Sequence, residues 1–590
     1  MFLKMVKEIK LIIFLVFSFS INADNSISTS SGITEAKLEN RVLYWSDIPY
    51  AQAPIGDLRW KAPREIINSK ANIQPKKNNF CIQKTSSLGG SSQFSKKIIS
   101  GTEDCLYLDI FAPKNSVDKK LPVMFWIHGG GNTSGLKDLY DFSKMVRKHN
   151  VIVVRINYRL GPFGWFTHPA IQELQKGIDK TSNFGTLDLI AALEWVKKNI
   201  SLFGGDTDNV TIFGESAGGH NVYSLIASKK AKGLFHKAIA MSGYTTSISP
   251  QKAYKQDKRS STSDFTSKKV VHQLIGNHSK KETRKRLLNI SSEEFFTIYA
   301  NRESYQEIPL LTADNIVIPD IGLREALSKE ALINNVPLVA GSNADEVKLW
   351  LATAEYFVDL DYSILGSVLE IPKVVLKDEN AFEAFNYYRS SAWKIRGVDE
   401  PLNNLSKAGN KKLYAYRFDW DDHRRLIVGD FKKLIGAAHA TEIPLLAGNT
   451  KLVGGYPLSD LIYPPSFSKF YLSRNMMKFW TNFAKHGYPG KSSNSIKWEP
   501  YDADNGASYM ILDKRKNLKM SQQELSFKLL TQELYKDKRI SELEKCVVLL
   551  QMFTFVGDDL YDENIENYPA ECDRNAAEQF LRDNASFIEY

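Results

Sequence analysis

A serine flanked by small residues stands in the pattern Gly-Glu-Ser-Ala-Gly, with Ser216 at its centre. The β-branched run 210–213 before it predicts a buried strand, and Ala217 with the following glycines predicts the start of a helix. A serine at such a junction lies on a sharp, strained turn that exposes its hydroxyl, as a G-x-S-x-G nucleophile requires. The alternative interpretation is a serine that only caps the helix.

A glycine-rich segment, WIHGGGN at 126–132, follows another predicted strand. Attack on a carbonyl creates an oxyanion, which backbone N–H groups can stabilise when glycines let the substrate approach them. Gly130 and Gly131, together with Ala217, are therefore the candidate donors of an oxyanion hole. The alternative is an ordinary glycine-rich loop.

The base is expected to follow the acid in the chain, because the order of this motif class is serine, acid, histidine. Among the ten histidines, His423, His439 and His486 come late enough. His439 has small neighbours in GAAHATEIP, which permit a loop that turns the imidazole toward the serine. His423 lies in the charged run DWDDHRR and is interpreted as a solvated surface residue, whereas His486 precedes a glycine and fits a helix terminus.

The acid is sought in VPLVAGSNADEV (336–347), which predicts a strand followed by a turn. A buried carboxylate there would hold the imidazole tautomer and stabilise the imidazolium. Asp345 and Glu346 both qualify by position, and the pattern does not separate them.

Charge is distributed unevenly along the 590 residues, whose formal net charge is +10. Residues 557–590 carry ten acidic residues and two arginines, so the rest of the chain is strongly basic. The lysines are scattered, which does not favour nucleic-acid binding and indicates solubility or attraction to anionic surfaces.

The N-terminus predicts a signal peptide over residues 1–23, with three lysines before a short apolar run (11–19) and an acceptable cleavage site after Ala23. A signal anchor is the alternative. The run is too short to span a membrane, so no stable membrane insertion is expected. An N-glycosylation pattern at Asn132, beside the candidate oxyanion loop, favours a host that does not glycosylate there. These features predict export to a bacterial periplasm or to the medium.

Four cysteines are present, which in an exported chain suggests two disulfides among three possible connectivities. Proximity favours Cys81–Cys105 and Cys546–Cys572. The sequence contains no CxxC pair of the kind that binds zinc. Neither a metal nor an organic cofactor is predicted.

Apolar runs alternate with helical patterns, which predicts an α/β fold with a mostly parallel sheet. The predicted strands are 123–127, 151–156, 210–213, 238–241, 336–340 and 413–418, and a helix is predicted over 186–200. Residues 249–267 are expected to form a mobile polar insertion. Residues 521–590 are expected to form a helical, acidic tail with 546–556 as its buried face.

Several ordered segments resemble the type-B carboxylesterase family, including its bacterial members. They are DIPYAQAPIGDLRWKAP (47–63), EDCLYLDIFAP (103–113), NYRLGPFGWF (157–166), NFGTLDLIAALEWVKKNISLFGGD (183–206), GESAGG (214–219) and MSG (241–243). The resemblance runs from about Asp47 to Tyr501 and implies one α/β-hydrolase catalytic domain over residues 24–520. It departs from cholinesterases because residues 82–104 contain no tryptophan, so a choline-directed enzyme is not predicted.

The resemblance implies Ser216 as nucleophile, Glu346 as acid and His439 as base, with Gly130, Gly131 and Ala217 as the oxyanion hole. The expected reaction is hydrolysis of a small carboxylic ester through an acyl-enzyme. A lipase, thioesterase or amidase using the same residues is the alternative among enzymes, and a non-catalytic binding protein is the alternative outside them. The oligomeric state is not predicted.

Overall fold

The structure is a computed structural model. It describes residues 26–67, 69–76, 79–86, 98–255, 266–300, 311–361, 373–426, 429–450, 462–503, 506–523, 525–555 and 558–584. The predicted signal peptide lies outside the described residues, as does most of the predicted polar insertion.

Eleven strands of the described chain form one central sheet. In chain order they are β1 Lys37–Glu39, β2 Val42–Pro49, β3 Tyr107–Pro113, β4 Leu121–Ile127, β5 Ile152–Ile156, β6 Gly205–Glu215, β7 Lys237–Met241, β8 Leu338–Asn343, β9 Leu413–Phe418, β10 Ser508–Leu512 and β11 Lys519–Gln522. Their spatial order is β11-β10-β9-β8-β7-β6-β4-β5-β3-β2-β1. The strands from β5 to β10 in this order pair in parallel, and antiparallel strands extend both edges.

The parallel strands are buried on both faces, which explains why they read as continuous apolar runs. In β4, Phe125 and Ile127 enter the core on one face of the sheet, while Met124 and Trp126 enter the core on the other. Sequence-predicted strands match β4, β5, β7 and β9 to within two residues. The eighth strand begins at Leu338 rather than at residue 336, because Pro337 lacks the N–H that a ladder position needs.

Helices cover both faces of the sheet. The described α-helices are Ser143–His149, Gly161–Gly164, Pro169–Gln172, Phe184–Asn199, Ala217–Ile226, Pro250–Tyr254, Ser267–Ile275, Lys280–Asn289, Ser292–Ala300, Leu323–Ala326, Lys348–Leu351, Glu379–Lys394, Glu400–Lys407, Phe431–Leu434, Ile443–Ala447, Phe467–His486, Phe527–Lys536, Glu542–Phe553, Tyr561–Asn564 and Arg574–Asp583. A π-helical turn, Ile395–Asp399, joins two of them. None of the helices in the described ranges is long and apolar enough to cross a membrane.

The predicted polar insertion is partly helical in the described residues. Ser249 caps helix Pro250–Tyr254, and Thr266 caps the helix that begins at Ser267. Ser267 is buried and donates a hydrogen bond to the carbonyl of Thr167, so this end of the segment is held against the domain. Residues 256–265 lie outside the described residues.

The C-terminal segment forms helices in the described residues, and they pack against the preceding part of the chain. Helix Glu542–Phe553 contacts helix Glu379–Lys394, and both contribute to one apolar core cluster. Its buried side chains run from Lys545 to Phe553, broken only at Gln551. Both predicted cysteine pairs are bonded: Cys81–Cys105, and Cys546–Cys572, which ties this helix to the start of helix Arg574–Asp583.

Candidate active site

Ser216 lies at the turn between β6 and helix Ala217–Ile226, which we call the elbow helix. Its φ of 59° and ψ of −123° are unfavourable for a residue with a Cβ, and its N–H donates to the carbonyl of Met241 at 2.9 Å. A Cβ added to Gly218 would lie 2.1 Å from the carbonyl oxygen of Ile127, so only glycine lets the elbow helix approach β4 this closely. The local sequence thus produces the strained turn, and Ser216 remains partly exposed.

The glycine-rich loop after β4 begins directly against this turn. A Cβ on Gly129 would lie 3.0 Å from the Cβ of Ser216. Gly130 and Gly131 have φ values of 101° and 63°, which side chains rarely tolerate. The N–H groups of Gly130, Gly131 and Ala217 donate no hydrogen bond to any described residue. They are partial positive charges next to Ser216, and that of Ala217 also lies at a helix N-terminus.

His439 is hydrogen-bonded to the buried carboxylate of Glu346, with 2.7 Å between Nδ1 and Oε2. The other oxygen of Glu346 accepts the N–H of Asn343 at 2.7 Å, so both oxygens are fixed. Asp345, the alternative that the sequence left open, faces elsewhere. Its carboxylate accepts hydrogen bonds from the N–H of Ala437 at 2.9 Å and from the side-chain amide of Asn386 at 2.6 Å.

Two indole rings cover the imidazole of His439. The ring centroids of Trp350 and Trp393 lie 5.0 and 4.8 Å from it. Trp350 follows Glu346 by four residues, but Trp393 comes from helix Glu379–Lys394, and no local signal in the sequence connects it with the histidine. Neither ring was among the site residues predicted from the sequence.

The carboxylate of Glu215 faces the other side of the imidazole. Its Oε1 lies 3.1 Å from Nε2 of His439, without the alignment of a hydrogen bond. Glu215 precedes the serine, so β6 places both groups at the same turn. Glu442, three residues after His439, is a further buried carboxyl, which accepts a hydrogen bond from Asn343 at 2.6 Å. Neither glutamate was among the site residues predicted from the sequence.

Burial and the charges of neighbouring side chains shift the pKa values of Glu215, Glu442 and His439. Burial, opposed by the His439 charge, raises the pKa of Glu215 above its ordinary value. Burial and the nearby Glu346 raise the pKa of Glu442 to about 7. Burial alone would lower the pKa of His439, but the carboxylates of Glu215 and Glu346 raise it above its ordinary value. The imidazole therefore holds its proton more tightly than a free histidine.

The other two candidate histidines lie in separate surroundings. His423 is only 7% exposed, so its interpretation as a solvated surface residue is wrong. Its two ring nitrogens contact the carbonyl oxygens of Ile462 and Gly436 at 2.8 and 2.7 Å, and the ring packs against Trp420. The charged residues next to His423 in the sequence predicted exposure, but its ring lies buried against an aromatic part of the core. His486 ends helix Phe467–His486, with Gly487 as the left-handed cap.

The described residues hold no cluster of three or more histidine, cysteine or acidic side chains arranged to bind a metal ion. Their polar groups at the site are instead a hydroxyl, an imidazole, carboxylates and backbone N–H donors. Such a set can transfer a proton, form a covalent bond and stabilise an oxyanion.

Comparison with known proteins identifies the class to which this fold and site belong. A family model described as "Carboxylesterase family" matches residues 26–360 and 380–529. The para-nitrobenzyl esterase of Bacillus subtilis is 31% identical over 82% of this chain and 94% of its own length. Carboxylesterase 1E of Rattus norvegicus is 30% identical over 81% of this chain and 88% of its own length.

Solved structures agree. A thermophilic p-nitrobenzyl esterase is similar with a TM-score of 0.64 and 28% identity, covering 85% of this chain and 98% of its own. The predicted α/β-hydrolase fold is therefore confirmed. The chain belongs to the carboxylesterase family, and it is a carboxylic ester hydrolase of the serine type.

Proposed function

We propose that Ser216 is the nucleophile, His439 the general base and Glu346 the carboxylate that orients it. The observation that carries this assignment is the 2.7 Å bond from Nδ1 of His439 to the buried Glu346. Nε2 of the same ring lies 3.1 Å from Glu215, the residue directly before Ser216 on its strained turn. The bond to Glu346 places the imidazole proton on Nδ1. Nε2 is then the free base that can accept the proton of the serine.

The reaction proceeds in two balanced steps. The oxygen of Ser216 attacks the ester carbonyl while its proton moves to Nε2 of His439. The tetrahedral intermediate collapses, the C–O bond to the alcohol breaks, and protonated His439 gives that proton to the leaving alkoxide. In deacylation, His439 takes a proton from a water molecule as the water oxygen attacks the acyl carbonyl. The bond between that carbonyl carbon and the serine oxygen then breaks, and His439 returns the proton to the serine oxygen, which releases the acid and restores the hydroxyl.

The oxyanion of each tetrahedral intermediate is assigned to the N–H groups of Gly130, Gly131 and Ala217. The lack of acceptors for these groups among the described residues supports the assignment, because a donor without a partner can bind developing charge without first breaking a bond. Removal of a single oxyanion-hole donor typically lowers kcat by about 10²–10³-fold.

The substrate class is tested by comparing leaving groups on one acyl group. We expect p-nitrophenyl acetate to be hydrolysed at least about 100-fold faster, in kcat/KM, than p-nitroacetanilide, because an alkoxide-type leaving group needs less help than an amide nitrogen. A matched S-aryl thioacetate and an emulsified long-chain triglyceride complete the comparison. Preference for the anilide, the thioester or the emulsion would replace the ester assignment with an amidase, thioesterase or lipase.

The pH dependence gives a separate prediction for Glu215. The neutral form of His439 acts as base, so kcat/KM falls as the pH drops through its pKa. Glu215→Gln removes the largest raising influence on that pKa. We expect the acidic side of the kcat/KM–pH profile, its acid limb, to move to lower pH by about one unit. The reason is that a charge within hydrogen-bond distance shifts a pKa by about 1–3 units.

Glu442→Gln is the matched control for this pH profile. Of the three carboxyl groups that raise the pKa of His439, Glu442 has the smallest effect. Its replacement is therefore expected to shift the acid limb in the same direction but by less. An acid limb that stays in place, or moves to higher pH, in Glu215→Gln would contradict this account of the imidazole.

We also propose that the chain is exported, with residues 1–23 removed. The two disulfides support this, because such bonds persist in oxidising compartments. N-terminal sequencing of the protein from the periplasm or the medium should find Asp24 first, and an intact N-terminus on the active enzyme would contradict cleavage.

A further inference from the structure

Phe555, in the C-terminal segment, packs against aromatic residues near the proposed catalytic groups. The family match ends at residue 529, and helix Glu542–Phe553 lies beyond it. A short hairpin follows, with Thr554–Phe555 paired to Asp558–Asp559. The Phe555 ring centroid lies 4.7 Å from that of Trp393 and 5.6 Å from that of Tyr244, both edge-to-face.

One of these partners contacts a proposed catalytic residue, and the other contacts the elbow helix. Trp393 covers the imidazole of His439 at 4.8 Å, and its Nε1 donates to the carbonyl of Ser242 at 3.2 Å. Tyr244 stacks at 4.5 Å on His220, a residue of the elbow helix. Phe555 therefore joins the side of the site that carries the base to the side that carries the nucleophile.

The hairpin is held in place by contacts that do not depend on Phe555 itself. The guanidinium of Arg396, from the π-helical turn, donates to the carbonyl of Phe553 at 2.7 Å. The N–H of Leu560 donates to the same carbonyl at 2.9 Å. The Cys546–Cys572 disulfide anchors the preceding helix. Phe555 is thus presented by a fixed support, yet it remains only partly buried.

The wall formed by Phe555, Trp393 and Tyr244 consists mainly of aromatic ring carbons, and the guanidinium of Arg396 lies over the Phe555 ring at 5.8 Å from its centroid. Ala217 belongs to the same apolar cluster, which connects this wall with a proposed oxyanion donor. An ester bound at Ser216 has its carbonyl beside the N–H of Ala217, so a substituent on one side of that carbonyl can extend toward this wall. A partly exposed ring there can pack against an apolar substituent and limit its size.

We propose that Phe555 is a specificity-determining residue, which with Trp393 and Tyr244 forms the wall that receives an apolar substituent of the ester. The C-terminal segment beyond the family match then sets the size of substrate that the enzyme accepts. This inference rests on the proposed function of Ser216 and deepens it.

The test measures selectivity rather than total rate. Two series are used: p-nitrophenyl esters from acetate to decanoate, which vary the acyl group, and acetate esters of alcohols of increasing size. In Phe555→Ala, the ratio of kcat/KM for the largest to the smallest member is expected to rise by about tenfold or more in one series. The series that responds identifies which half of the ester contacts the wall.

Phe580→Ala is the matched control. Phe580 is a partly buried ring of the same segment, but it packs at 5.2 Å on Tyr356. Its removal should leave both selectivity ratios unchanged. Phe555→Leu preserves most of the apolar volume and guards against a folding failure, with a smaller change expected in the same direction.

Unchanged ratios in both series for folded Phe555→Ala, or an equal change in Phe580→Ala, would overturn the inference. Failure of the proposed function is recognised separately, because hydrolysis would then persist in Ser216→Ala. A selectivity change cannot arise from general destabilisation, which lowers the rates for all esters together.

Discussion

Replacement of Ser216 by alanine is expected to lower kcat for p-nitrophenyl acetate by about 10⁴–10⁶-fold. Alanine removes the oxygen that forms the acyl-enzyme, while the oxyanion donors and the pocket remain. The residual rate should therefore still exceed that of water alone, because oxyanion stabilisation and binding survive the loss of the nucleophile. Steady-state kinetics of the purified variant measure the effect.

Ser224→Ala provides the control for this experiment. Ser224 belongs to the same elbow helix, where its hydroxyl donates to the carbonyl of His220 at 3.0 Å. Its replacement should leave kcat within about threefold, since it touches none of the proposed catalytic groups. A Ser216→Ala enzyme that keeps more than about one-tenth of the activity would require another nucleophile.

Glu346→Gln is expected to lower kcat by about 10³–10⁴-fold with little loss of fold. The amide is nearly the same shape as the carboxylate, but its NH₂ group can donate toward Nδ1 of His439. That bond would favour the tautomer with the proton on Nε2, which cannot accept the proton of Ser216. The amide also lacks the negative charge that stabilises the imidazolium.

Asp345→Asn separates this effect from a general change of charge at the turn. The carboxylate of Asp345 accepts hydrogen bonds from Ala437 and Asn386 and makes none to His439. Its replacement should change stability more than kcat, which we expect to stay within about tenfold. Equal losses of kcat in both variants would contradict the assignment of Glu346.

The sequence predicted the groups whose signals are local. Ser216 could be found because glycines and a β-branched run must surround a strained turn, and Gly130 and Gly131 because positive φ values need glycine. The parallel strands could be found because burial on both faces makes them apolar throughout. The choice between Asp345 and Glu346 depended on family resemblance, because adjacent carboxylates differ only in where the turn directs them.

The remaining features depend on contacts between distant segments. Trp393 reaches the site from helix Glu379–Lys394 and Phe555 from the hairpin after helix Glu542–Phe553, both far along the chain from Ser216. Nothing near either residue in the sequence indicates a role in the site. The environment of His423 could not be predicted from its charged neighbours, since the loop turns the imidazole between two carbonyls while acidic residues beside it pair at the surface. Tertiary packing decided these positions.

A covalent intermediate on Ser216 can be trapped with diethyl p-nitrophenyl phosphate. Attack by the serine oxygen on phosphorus expels p-nitrophenolate and leaves a diethylphosphoryl group that water removes slowly. Peptide mass spectrometry should find one such group per chain, on Ser216, with activity lost in proportion. Complete inactivation with the group on another residue, or full modification of Ser216 with activity retained, would contradict the account.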